Sequence, residues 1–189
     1  MASHKIYYGR GAQDIVTVPH KSGQPVRVAS ATYEIVDSRQ SIESSAHVVV
    51  AAGTAATLDT LSTTTSAAAG RSGTDRRALT VVSTTGLTVG HLYILTAASG
   101  EAELVTIAAV PSGTVARTVS DIRGTYATGA TLRGIEVTAT FPALEADDDE
   151  NLDGLPFIVI WNFPTMPPVR EPIFADRGVE AQLATLADL

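Results

Sequence analysis

The residues with the most evident chemical capacity are the acidic run Asp147-Asp148-Asp149-Glu150-Asn151-Leu152-Asp153-Gly154. Asp149, Asn151, Asp153 and Gly154 match positions 1, 3, 5 and 6 of a calcium loop, where alternate side-chain oxygens and a turning glycine wrap one ion. Position 12 of such a loop calls for a bidentate Glu, but Ile160 stands there and Pro156 interrupts the segment. A solvated hairpin loop explains the run better, so Asp149, Asn151 and Asp153 are a weak calcium candidate and no cofactor is expected. The four histidines, His4, His20, His47 and His91, fall in different segments without the i,i+4 pairing that would set two imidazoles on one metal. The chain has no G-x-S-x-G elbow, P-loop or G-x-G-x-x-G fingerprint, and no cysteine to serve as thiol nucleophile, zinc ligand or disulfide. These residues point to a protein that is not an enzyme.

Two further groups invite a binding reading. Arg71, Arg76 and Arg77 form a basic tip that could touch DNA or an acidic partner, against the plainer reading of solvated loop charge. Trp161 is either a core aromatic or a stacking platform for sugar. In Phe157-Ile158-Val159-Ile160-Trp161-Asn162-Phe163 both alternating faces are apolar, which favours the core.

The elements that position these residues are strands. Gln24–Ser38 and Gly134–Phe163 each read as half of one antiparallel sandwich, with Tyr33 and Ile35 facing inward. Val16–Val18 and Val26–Val36 read as a hairpin turned by Lys21-Ser22-Gly23-Gln24. Between the halves, ALTVVS, HLYILTA, AELVTIAAV, VARTV and ATLRGIEV are short strands separated by glycine turns, the pattern of a small barrel-like unit. Ala52–Arg77, rich in Ala, Thr, Ser and Gly, has neither a period of 2 nor one of 3.6 and reads as a linker or long loop. Pro164, Pro167, Pro168 and Pro172 argue for an extended arm, and Val179, Leu183 and Leu186 for a short amphipathic helix at its end. The expected fold class is all-β: an Ig-like antiparallel sandwich with an inserted small β-barrel-like domain and a C-terminal arm. The expected division is 1–50 and 134–163 for the sandwich halves, 51–77 for the linker, 78–133 for the inserted domain and 164–189 for the arm.

Composition narrows the function classes. A net charge of −7 argues against a nucleic-acid partner, because binding phosphate requires clustered Lys and Arg. Apolar residues make up 44% of the chain and aromatics 5%, so its cores rest on Val, Ile, Leu and Ala, which suits thin β layers. The N-terminus MASHKIYYGRG lacks the apolar stretch of a signal peptide, and no segment approaches the ~20 apolar residues of a membrane span. Folding in a cytoplasm, away from membranes, is the expectation.

With these residues on the page, the chain resembles small structural proteins of the tailed-bacteriophage neck, the head-to-tail connector or adaptor. The resemblance rests on the Gly-x-Pro turn leading to ATYEIVDS, on the middle unit from LTVVS to GATL, and on the tail IVIWNF, REPIFADRG and ATLADL. Ala52–Arg77 has no counterpart in that pattern. The resemblance implies a non-enzymatic virion component, assembled in a host cytoplasm as a homo-oligomeric ring that also meets portal, capsid or tail proteins. Arg71, Arg76, Arg77, Pro167, Pro168, Ile173, Phe174, Leu183 and Leu186 are the expected partner contacts. The alternatives are a capsid decoration or tail-associated protein, and a carbohydrate-binding or calcium-dependent adhesion module resting on Trp161 and the Asp149–Gly154 loop.

Overall fold

The computed structural model describes residues 4–7, 11–39, 41–42, 47–143 and 156–176. Among them the chain is all-β, without a helix. The strands of the first part are β1 (His4–Tyr7), β2 (Gln13–Thr17), β3 (His20–Lys21), β4 (Gln24–Pro25), β5 (Thr32–Asp37), β6 (Val48–Ala55) and β7 (Thr57–Leu58). The middle part holds β8 (Ser62–Thr64), β9 (Ala69–Gly70), β10 (Ala78–Thr80), β11 (Leu92–Thr96), β12 (Ala102–Ser112), β13 (Val115–Thr118), β14 (Thr125–Tyr126) and β15 (Thr131–Gly134). The last three are β16 (Val137–Phe141), β17 (Pro156–Asn162) and β18 (Val169–Asp176). They divide into two compact units: Met1–Thr17, Val28–Thr57 and Val137–Leu189 form the first, Val18–Arg27 and Leu58–Glu136 the second.

In the first unit a five-stranded sheet has the order β1-β18-β17-β5-β6, and a smaller sheet the order β2-β16-β7. The two distant blocks do meet: β5 and β17 are antiparallel, with Tyr33 opposite Trp161 and Ile35 opposite Val159. Tyr33, Ile35, Val159 and Trp161 are all buried, as alternation predicts. Side chains of the two sheets interlock, with Phe141 edge-on to Phe157 at 5.1 Å. Tyr33 Oη donates to the Thr140 carbonyl at 3.1 Å and accepts from the Thr140 N–H at 3.2 Å. Trp161 stacks on Phe163, and its Nε1 donates 2.9 Å to Glu171, a buried carboxylate that also accepts from Thr17 Oγ1. Each oxygen named on Glu171 thus has a donor, which is what permits a carboxylate in this core.

Three expectations need correction. The turn at Ser22-Gly23 exists, with φ of 53° and 77°, but it joins only the short pair β3–β4. β2 pairs instead with β16, and β5 lies between β17 and β6, because the long apolar faces find partners far along the chain. Residues 51–77 are not a free linker, since they carry the end of β6, then β7, β8 and β9, each short and paired across the fold. The proline-rich segment is not an arm up to residue 176: Pro164, Pro167 and Pro168 sit in the turn, and β18 is paired with β17 on one side and β1 on the other. The proposed helix with Leu183 and Leu186, and the candidates Asp149, Asn151 and Asp153, lie outside the described residues.

Asp37 ends β5 in a setting with a consequence for pH. Burial pushes its pKa up, but hydrogen bonds from the Arg39 backbone and guanidinium, and the charges of Arg39 and His47, outweigh this and hold it below the usual 3.8. A lowered folded-state pKa gives stability that is present above the unfolded value and lost as pH falls through the folded one. Asp37→Asn is therefore expected to destabilise the first unit by roughly 1–2 kcal/mol at neutral pH. Urea denaturation should show that difference shrinking once the pH drops below the ordinary carboxylate value.

In the second unit a six-stranded sheet has the order β10-β13-β12-β11-β15-β8. It curls until its edges meet: Thr65 bridges Val81, Ser66 N–H donates to Thr80 O, and Val82 N–H donates to Thr64 O. Leu79, Val81, Tyr93, Leu95, Ile107, Tyr126 and Leu132 fill the interior and are fully buried. Curling onto itself removes the open edges that would otherwise seek another chain.

Candidate functional site

The side chain with the least settled environment lies in the second unit. Tyr126 is fully buried, and its hydroxyl has no hydrogen-bond partner. Burial and the nearby Glu103 and Glu101 carboxylates push its pKa up to about 12, so the phenol keeps its proton at any physiological pH. Glu103 is close enough for its carboxylate to add hydrogen bonding to that rise, although no bond of full geometry forms, and its oxygens also serve other donors. They accept the backbone N–H groups of Arg123 and Gly124 at 2.9 Å each.

Local sequence builds this corner. On β12 the period of two puts Glu103 on the same face as Val105 and Ile107, with Glu101 one step before the strand. Val105 and Ile107 are buried in the core, so the face turns from apolar to acidic as the strand leaves it. Opposite, the short pair β9–β14 matches Gly70 with Thr125 and Ala69 with Tyr126, and Arg71 N–H donates 2.9 Å to Gly124 O. Gly124 is required here. A Cβ would stand 2.7 Å from the Tyr126 ring and 2.8 Å from Glu101 Oε1, so those two groups converge over the bare backbone. Around them opens a cleft of about 640 Å³ whose lining includes Arg71, Glu101, Glu103, Leu104, Arg123 and Tyr126.

The structure separates the residues singled out from sequence. Arg71 reaches the cleft, Arg76 is exposed, and Arg77 is tied to Asp121 through its Nε at 2.9 Å. Arg117 pairs with Asp75 at 3.1 Å, so the basic tip is interleaved with acid, and such exposed pairs carry little net energy. Pro167 and Pro168 are exposed, Phe174 is half-buried, and Ile173 is fully buried against the core, so its side chain is not a partner contact within the described fold. Trp161 is fully buried and therefore not a stacking platform. His20 and His47 contact backbone carbonyls, and His91 lies 2.7 Å from Glu136. No cluster of three metal-ligating side chains occurs among the described residues.

Sequence reasoning missed Glu101, Glu103, Arg123 and Tyr126. The signal present was the acidic pair at period two entering an apolar strand, with Arg123-Gly124 as a later turn. What the sequence lacks is any sign that β9 and β14 bring these segments together. Comparison with protein-family models, with curated proteins and with solved structures finds no match.

Proposed function

We propose that this protein is a non-enzymatic structural subunit that assembles head to tail through the edges of its five-stranded sheet. The observation that carries this reading is β6. Among the described residues it is an edge strand of eight residues, VVVAAGTA, without a charged side chain, and Val48 is 49% exposed. Proteins that stay monomeric usually blunt such an edge with Lys, Pro or a cover. The register of β6 with β5 shifts twice, at Val49 and over Ala51–Gly53, and strand addition would use the outward backbone groups on either side of these bulges. The opposite edge of the same sheet is β1, so pairing unlike edges would repeat from copy to copy, as a ring where the rotation between copies closes.

This reading agrees with the resemblance to tailed-phage neck proteins, and with an Ig-like arrangement for the two sheets of the first unit. Analytical ultracentrifugation is the direct test. The wild type is expected to sediment as a closed oligomer, and Val48→Lys, at an exposed position, as a folded monomer with an unchanged circular dichroism spectrum. A wild-type monomer at high concentration, or an oligomer indifferent to Val48→Lys, would sink the proposal. The virion role is checked by mass spectrometry of particles, where a neck ring requires about a dozen copies or fewer and a decoration protein hundreds.

A further inference from the structure

We infer that the cleft of the second unit binds a neutral oligosaccharide, with the Tyr126 hydroxyl and the Glu101 carboxylate as complementary donor and acceptor. Three observations lead there. Tyr126 is a lining residue of the cleft, its hydroxyl is buried and makes no hydrogen bond of full geometry, with only Glu103 near it as an acceptor, and a poorly satisfied buried donor needs an explanation. Glu101 is exposed, and no donor reaches its carboxylate among the described residues, although it converges with the phenol over Gly124. The Arg71 and Arg123 guanidinium groups, also in the cleft wall, have no ion-pair partner among the described residues.

Charge balance then selects the ligand class. Two guanidinium groups without an ion-pair partner among the described residues share the cleft lining with Glu101 and Glu103, while Asp121 pairs with Arg77. A phosphate or carboxylate ligand would gain from the arginines and be repelled by the glutamates, and a cationic ligand would meet the reverse. A sugar carries hydroxyls that donate to a carboxylate and accept from a guanidinium or phenol, with no net charge to be repelled. Leu104 and Val119, 38% and 53% exposed, add the apolar surface against which the C–H face of a pyranose can lie. The cleft volume of about 640 Å³ falls in the usual range for small-molecule sites.

The test uses the full chain in calorimetric and NMR titrations with maltohexaose, cellohexaose and N-acetylchitohexaose, and with oligogalacturonate as the anionic control. Saturable binding of at least one neutral oligosaccharide is expected, with chemical-shift changes at Glu101, Arg123 and Tyr126. Tyr126→Phe and Glu101→Gln should each weaken it at least fivefold. Tyr126→Phe removes a hydroxyl that makes no hydrogen bond of full geometry, so its melting temperature should lie close to that of the wild type. Three results would each overturn the inference: no neutral oligosaccharide binds, only oligogalacturonate binds, or folded Tyr126→Phe and Glu101→Gln bind as the wild type does.

Discussion

Trp161→Ala is expected to destabilise the first unit by about 3–5 kcal/mol, the range for emptying a buried aromatic site. The side chain is fully buried and lies parallel to Phe163 at 6.5 Å and tilted to Tyr33 at 6.0 Å. Its removal leaves a cavity between β5 and β17, the strand pair that joins the two distant halves of the sheet. It also takes the indole N–H from Glu171, leaving that buried oxygen short of one donor at 2.9 Å. Trp161→Phe should recover much of the packing and none of that hydrogen bond, and so fall between. Amide hydrogen exchange across β5 and β17 is the suitable readout, because this is the chain's only Trp and its fluorescence disappears with it. A loss below about 1 kcal/mol would mean that the core closes over the gap without Trp161.

Gly70→Ala should be the most damaging single-atom addition to the second unit. Gly70 has φ +70°, which costs a residue with a Cβ roughly 1–2 kcal/mol by itself. The added carbon would also overlap the carbonyl oxygen of Gly124, a backbone atom that cannot swing aside, and press on Ile122. Relief requires β9 and β14 to separate, which breaks the Arg71 N–H bond to Gly124 and opens the wall of the cleft. Gly129→Ala is the matched control, with φ +89° but nothing within 4 Å of its added carbon. It should show the conformational cost alone. Chemical denaturation of the two variants therefore measures the close approach by difference, and equal losses would show that it contributes nothing.

Strands β5 and β17 were legible because each carries its own pattern. Tyr33 and Ile35 share one face and alternate with Thr32, Glu34 and Val36, and Phe157–Phe163 is apolar on both faces, so strands and burial could be read before any partner was known. Residues 51–77 offered no such pattern. β8 and β9 are three and two residues of Ser, Thr, Ala and Gly, and their order comes from Thr131, Leu132 and Arg133 on β15 and from Tyr126 on β14. Such strands exist because of tertiary pairing, which local propensity does not record. Proline misled for a related reason. Pro172 stands inside β18, opposite Ile158 of β17, so a residue that reads as a breaker in sequence is held in the sheet by its neighbours. The cleft was the least legible part, since Glu101, Arg123 and Tyr126 converge only through the two-residue pair β9–β14.

The interleaving of the two units along the chain dictates an order of events during synthesis. Every strand of the curled six-stranded sheet has been synthesised once Gly134 is made, whereas β5 of the first unit waits for β17, and β1 waits for β18 at Val169–Asp176. At translation rates of about 5–20 residues per second, the stretch from Glu136 to Asp176 takes roughly 2–8 seconds. Through that interval the inner unit can be folded while its host still shows the apolar faces of β5 and β6. The nascent chain is then most exposed to wrong pairing with its neighbours on a polysome, and a chaperone that shields Val48–Ala55 until β17 emerges would protect it when protection matters most.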